Sequence, residues 1–265
     1  MKMNEAEKRP RRIDIQKCGF EQFGGIIRDW NPLHRDFDYA RSRGFKDTPA
    51  FGILLAAYAE RMVVDFLRNS EFASEFHYVS HSFKFREPAY PNDSLWYRII
   101  DINRDGESTN LRLEGVKNDG KLVVECSKIV LAKQRPIFEA PASKPIFSFE
   151  DFISEGYKVA FDRYITPETE ERIPYLLVAS LVPSALLKLS MRQTGKQEGV
   201  SRELNLTFFH EPEPGNFRTD IYLSSRPRGD QNVHMTSFRG ICYQSDRAIL
   251  SANMKVITWE DLKLQ

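Results

Sequence analysis

The chain repeats itself. About 125 residues apart, FREPAYPND (Phe85 to Asp93) and FHEPEPGNF (Phe209 to Phe217) share a phenylalanine, a Glu-Pro step and an asparagine after a turn residue. Upstream of each stands a proline-led apolar stretch, PAFGILLAAYAERMVVDFLR in the first half and PYLLVASLVPSALLKLSMRQ in the second. Downstream of each come two strand-like runs joined by a polar turn, STNLRLEGVKNDGKLVVECSKIVLAK and NVHMTSFRGICYQSDRAILSANMKVI. A repeat of this kind decides the architecture before any single motif does.

Each half therefore holds a short start, one long apolar helix and about four strands, as in SFKFR, LWYRIID, NLRLEGV and LVVECSKIVL. Period-two alternation marks the strands and the long apolar run marks a buried helix. An α+β unit satisfies this order, with one long central helix wrapped by a curved antiparallel β-sheet. Asn118-Asp119-Gly120 is a strong hairpin turn signal and Gln244-Ser245-Asp246 a weaker one. Two such units can pair their sheets edge to edge, hiding strands that would otherwise be exposed. AKQRPIFEAPASKPIF, with three prolines, reads as a linker. The expected organisation is a loose tail over residues 1–12, a first domain over 13–140 and a second over 141–265.

Lysine and arginine number 38 against 37 acidic residues, so the overall charge recruits neither nucleic acid nor an anionic membrane. Glu60, Arg61 and Asp65 interrupt the longest apolar run, which reads as a core helix and not a membrane span. The charged start lacks the apolar stretch of a secretory signal, and Cys18, Cys126 and Cys242 form no CxxC pair. A reduced, cytoplasmic protein with three packing thiols is expected. His77 and His81 have no evident third ligand, and no phosphate loop, nucleophile elbow or dinucleotide fingerprint is present. No metal or organic cofactor is expected.

The chemistry concentrates in DWNPLH, Asp29 to His34. Asn31 before Pro32 is a helix start, because asparagine caps free N–H groups and proline suits the first helical position. That helix is expected to run from Pro32 to about Arg43 and stop at Gly44. Asp29 and His34 can then face one small volume and share the handling of one water. Spacing alone leaves the plainer alternative open, a turn shaped by Asp29 and Asn31 with His34 on the surface. Gly52, at the start of the long helix, would let a ligand approach backbone N–H groups, and close packing is again the plainer reading.

RDWNPLHRDFDYARSRGF resembles the hydratase motif of MaoC-like dehydratases and (R)-specific enoyl-CoA hydratases, whose pattern is roughly Gly-Asp-x-Asn-Pro-Leu-His-x-Asp, then Tyr-Ala, then Phe. The matches are Asp29, Asn31, Pro32, Leu33, His34, Asp36, Tyr39, Ala40 and Phe45. The resemblance implies a double hot-dog fold in which Asp29 and His34 hold and activate a water, Asn31 helps set the histidine, and the Gly52 N–H binds the thioester oxygen. Arg28 replaces the pattern's glycine, and Phe51 stands where histidine is frequent. The second half has no Asn-Pro-Leu-His; aligning FEDFISEGYK with FEQFGGIIRD puts Lys158 opposite Asp29 and Leu177 opposite Gly52. One active site per chain follows, with the second half as support and room for an acyl chain.

The implied activity is hydration of a 2-enoyl thioester or dehydration of an (R)-3-hydroxyacyl thioester, carried on coenzyme A or acyl carrier protein. The rivals are a hot-dog thioesterase and a non-catalytic acyl-thioester binder. The double unit either stays a pseudo-dimeric monomer or pairs again as a homodimer.

Overall fold

Every strand marked by alternation is present, and the two halves repeat one element order. The computed structural model describes residues 10–68, 76–165, 175–196, 199–228 and 234–259. The first half runs β1 (Arg11–Asp14), α1 (Phe20–Ile27), α2 (Phe37–Ser42), α3 (Gly52–Arg68), β2 (His77–Phe85), β3 (Ser94–Arg104), β4 (Ser108–Lys117) and β5 (Leu122–Ala132). The second runs β6 (Phe147–Ile153), α4 (Glu155–Ile165), α5 (Tyr175–Ala179), α6 (Leu181–Thr194), β7 (Val200–Phe208), β8 (Gly215–Arg228), β9 (His234–Gln244) and β10 (Arg247–Thr258). Residue 141 lies in the stretch between β5 and β6.

All these strands form one ten-stranded antiparallel sheet in the order β1-β3-β4-β5-β2-β7-β10-β9-β8-β6. The halves join at its centre, where Ser80 pairs with Thr207 and Lys84 with Glu203. This edge-to-edge pairing of two helix-and-sheet units is the double hot-dog arrangement. Gly120 turns the β4–β5 hairpin at φ 81°, while Ser245 and Asp246 turn the β9–β10 hairpin at φ 50° and 60°, both left-handed without a glycine.

The central helix α3 is buried along most of its length, from Ile53 through Leu54, Leu55, Ala56 and Ala57 to Val63 and Phe66. One continuous apolar cluster runs through both halves, and Phe23 of α1 meets Phe161 of α4 at 5.7 Å between ring centres. Cys126 and Cys242 are buried free thiols; the Cys18 side chain lies outside the described residues. The stretch Tyr175–Thr194 is long and apolar enough to cross a membrane, yet it lies mostly inside the fold.

Three expectations need correction. Arg11 and Arg12, assigned to the tail, belong to β1, paired with Tyr97 and Trp96. The central helix of the second half is not one helix: it breaks at Ser180 into α5 and α6. Pro183 explains the break, because it has no N–H for the Ala179 carbonyl and its ring crowds that turn. Finally, FEDFI is not the counterpart of the helical FEQFG. It is strand β6, whose alternating side chains pair with β8. Lys158 therefore sits in the first turn of α4 and is not the counterpart of Asp29, and residues 166–174, which follow α4, lie outside the described residues.

Gly240 of β9 lets α6 lie close to the sheet, since a Cβ there would stand 2.4 Å from Val182 Cγ1. Gly240→Ala should destabilise the protein by about 1–3 kcal/mol through overpacking. A urea midpoint unchanged from wild type would show instead that α6 can shift to admit the methyl group.

Candidate active site

The turn that carries the site begins where α1 ends. Arg28 closes that helix in a left-handed conformation, φ 54° and ψ 31°, and its N–H reaches back to the carbonyls of Gly24 and Gly25. Asp29 N–H donates to Gly24 O at 2.9 Å, and Asp29 Oδ1 accepts the N–H of Asn31 at 3.0 Å. Asn31 is the cap expected of it: Oδ1 accepts the N–H of Leu33 at 3.0 Å, with Pro32 in the first helical position.

The expected helix from Pro32 to Arg43 is corrected to two pieces. A single 3-10 turn spans Pro32–His34, and α2 starts afresh at Phe37. Asp36 makes the division, because it is extended and caps α2 by accepting the Tyr39 N–H at 2.9 Å. Gly44, at φ 86°, lies two residues past α2.

His34 is held from two sides. Its Nδ1 lies 2.7 Å from Pro49 O, and a carbonyl only accepts, so Nδ1 carries a proton and the ring turns Nε2 away from that contact. Phe51 stacks on the imidazole at 4.2 Å and packs against Phe20 and Phe23. Phe51 is a buried floor for His34 and does not line the cavity above it.

Asp29, His34 and Gly52 line one cavity of about 130 Å³. Leu33, Ile53 and Phe85 of the first half add apolar wall, and Leu186, Leu187 and Val256 come from the second. Gly52 opens α3, where the first N–H groups have no intrahelical acceptor. A Cβ at Gly52 would approach the Phe85 ring to 3.2 Å, so the glycine also lets that ring close the wall. Asn31 does not line the cavity; it is buried, and its Nδ2 donates to Gly199 O of the second half at 2.8 Å.

Burial pushes the Asp29 carboxyl above its ordinary pKa, offset in part by His34, by the Asn31 N–H and by Arg35. A carboxylate so placed is a better proton acceptor than an exposed one. Beside it stands the His34 imidazole, its Nδ1 held by Pro49 O, in a largely apolar pocket that ends at a helix N-terminus. Those parts suit a reaction that moves a proton and develops negative charge on an oxygen.

Residues 2–116 match the model of the MaoC like domain. The match covers less than half of the chain. Over 73 residues, 28% of the chain, it is 33% identical to a mitochondrial 3-hydroxyacyl-[acyl-carrier-protein] dehydratase of Arabidopsis thaliana, and it spans only 40% of that relative's length. Among solved structures, a MaoC domain protein from Chloroflexus aurantiacus superposes with a TM-score of 0.70 at 11% identity, covering 95% of each chain. A 12:0-ACP thioesterase from Umbellularia californica superposes with a TM-score of 0.63 at 6% identity, covering 94% of this chain and 93% of its own. At such identities the likeness establishes the fold, and the chemistry has to be argued from the site. The matched stretch contains Asp29, Asn31, His34 and Gly52, whereas Gly199 and the far wall of the cavity lie outside it.

Sequence reasoning missed the Pro49 and Gly199 carbonyls, for which residue type carries no signal, and the pairing of Arg28 with the second half.

Because folding raises the Asp29 pKa, the ionised group is less favoured folded than unfolded. That penalty is absent below the ordinary carboxylate value, grows as pH rises to the folded value, and then stays constant. Asp29→Asn should therefore be more stable than wild type at neutral pH, with the difference closing as pH falls towards about 4. Urea melts at both pH values check this, and a variant less stable at neutral pH would show that hydrogen bonding to Asp29 outweighs its burial.

Proposed function

We propose that the chain is a hydro-lyase of fatty-acyl metabolism, adding water to a 2-enoyl thioester or removing it from an (R)-3-hydroxyacyl thioester. One observation carries the reading: the Asp29 carboxyl and the His34 ring, oriented by the hydrogen bond from Nδ1 to Pro49 O, open onto the same cavity as Gly52. The match of residues 2–116 to the MaoC like domain supports it. The stereochemistry rests on the sequence resemblance.

In the hydration direction, one member of the pair takes a proton from water as the oxygen bonds to C3. The double-bond electrons move towards the thioester oxygen, where the Gly52 N–H at the head of α3 stabilises the charge. One such donor is typically worth about 3 kcal/mol in the transition state. The pair then delivers a proton to C2, which balances the one taken from water, and is restored without redox change.

Carrier protein is supported as the thioester donor by the name of the Arabidopsis relative, and coenzyme A presents the same thioester. The solved thioesterase of the same fold keeps hydrolysis as the second reading. The two differ in product, since a hydratase removes the conjugated enoyl absorbance without releasing thiol.

Purified protein should consume crotonyl-CoA or a longer enoyl thioester, and Asp29→Asn should lower turnover by ~10²-fold or more while remaining folded. Full activity in that variant would remove Asp29 from the chemistry, and thiol release would replace hydratase by thioesterase. The acid limb of kcat/KM should lie above the ordinary carboxylate value, since activity that needs ionised Asp29 is lost as pH falls through its raised pKa.

A further inference from the structure

Arg28 occupies a backbone position that an arginine ordinarily avoids. At φ 54° its Cβ crowds the backbone, and glycine is the residue such a helix exit favours. In return its side chain leaves the first half altogether. Nε pairs with the Asp151 carboxylate of β6 at 3.0 Å, an Nη donates to Phe152 O at 2.5 Å, and the guanidinium lies 4.4 Å from the centre of the Tyr157 ring of α4. The Arg28 carbonyl in turn accepts the Ser184 hydroxyl of α6 at 3.4 Å.

The next residue is Asp29. A rotation at Arg28 swings the Asp29 carboxyl directly, whereas the far end of the turn is already held by Asn31 on Gly199 O. The turn that bears the proposed reacting pair is thus tied at both ends to the second half. Strained backbone kept by surrounding contacts is a pointer to function.

We propose that Arg28 is a positioning residue: through Asp151, the Phe152 carbonyl and Tyr157 it makes the second half set the placement of Asp29 against His34. The second half is then part of the catalytic apparatus without supplying a reacting group. This rests on the assignment of Asp29 and His34 as the reacting pair.

The test uses the full chain and the variants Asp151→Asn, Arg28→Gly and Arg28→Lys, with kcat and KM on an enoyl thioester and amide hydrogen exchange across the protein. Asp151→Asn and Arg28→Gly should lower kcat by ~10-fold to ~10²-fold with KM changed by less than about threefold, because misplacement of a reacting group acts on the chemical step. Arg28→Lys should recover part of the kcat. Exchange should quicken over residues 28–34 and stay unchanged in the strands. Folded variants with kcat within about twofold of wild type, or exchange that rises evenly through the molecule, would overturn the proposal and leave the pair a mere tie between halves. Should Arg28→Gly fail to fold, Asp151→Asn keeps the left-handed residue in place and decides the matter. Should wild type show no turnover at all, the hydro-lyase reading fails separately, and exchange over residues 28–34 still judges the tie.

Discussion

The antiparallel pairing of β2 with β7 is the constraint on which the rest depends. Each half alone is a five-stranded sheet around a helix, and β2 or β7 would be an open edge with unsatisfied backbone groups. Pairing Ser80 with Thr207 through Lys84 with Glu203 removes both edges at once. It also fixes where Gly199 lies, one residue before β7, and so brings its carbonyl to Asn31. The same seam sets Leu204 and, through β10, Met254 and Val256 along the cavity.

The site is consequently asymmetric in origin. The first half supplies the polar groups on a short turn, and the second supplies apolar wall and anchors at both ends of that turn. Phe51 and Arg28, the departures from the family pattern, find physical roles in this division. Phe51 gives His34 an apolar floor while Pro49 O holds its Nδ1. Arg28 accepts a strained backbone and reaches across to Asp151, a contact that a glycine cannot make.

Much of this was legible in order along the chain. The repeat is a likeness of residue pattern about 125 residues apart, and the strands, the cap at Asn31, the stop near Gly44 and the hairpin turn at Gly120 depend on neighbours a few residues away, which residue type reports well. The misreadings came where a local pattern had two solutions. FEDFI has phenylalanines at a spacing that suits a helix face in FEQFG, but β8 offers it a ladder, so it is a strand. Pro32 starts a helix as read, yet Asp36 competes for the next N–H groups and divides it.

By itself the sequence determined the double architecture and put forward Asp29, Asn31, His34 and Gly52 as candidates, because alternation, capping chemistry and a motif are written in side chains. Only the tertiary structure decided that Asp29, His34 and Gly52 share a cavity while Asn31 lies behind it, and that His34 Nδ1 is the nitrogen held by Pro49 O. It also decided that the turn is held by Gly199, Ser184 and Asp151. The Pro49 carbonyl lies 15 residues from His34 and the Gly199 carbonyl 168 residues from Asn31. Every residue has such a carbonyl, so only the tertiary packing, and for Gly199 the packing of one half on the other, selects the one that matters.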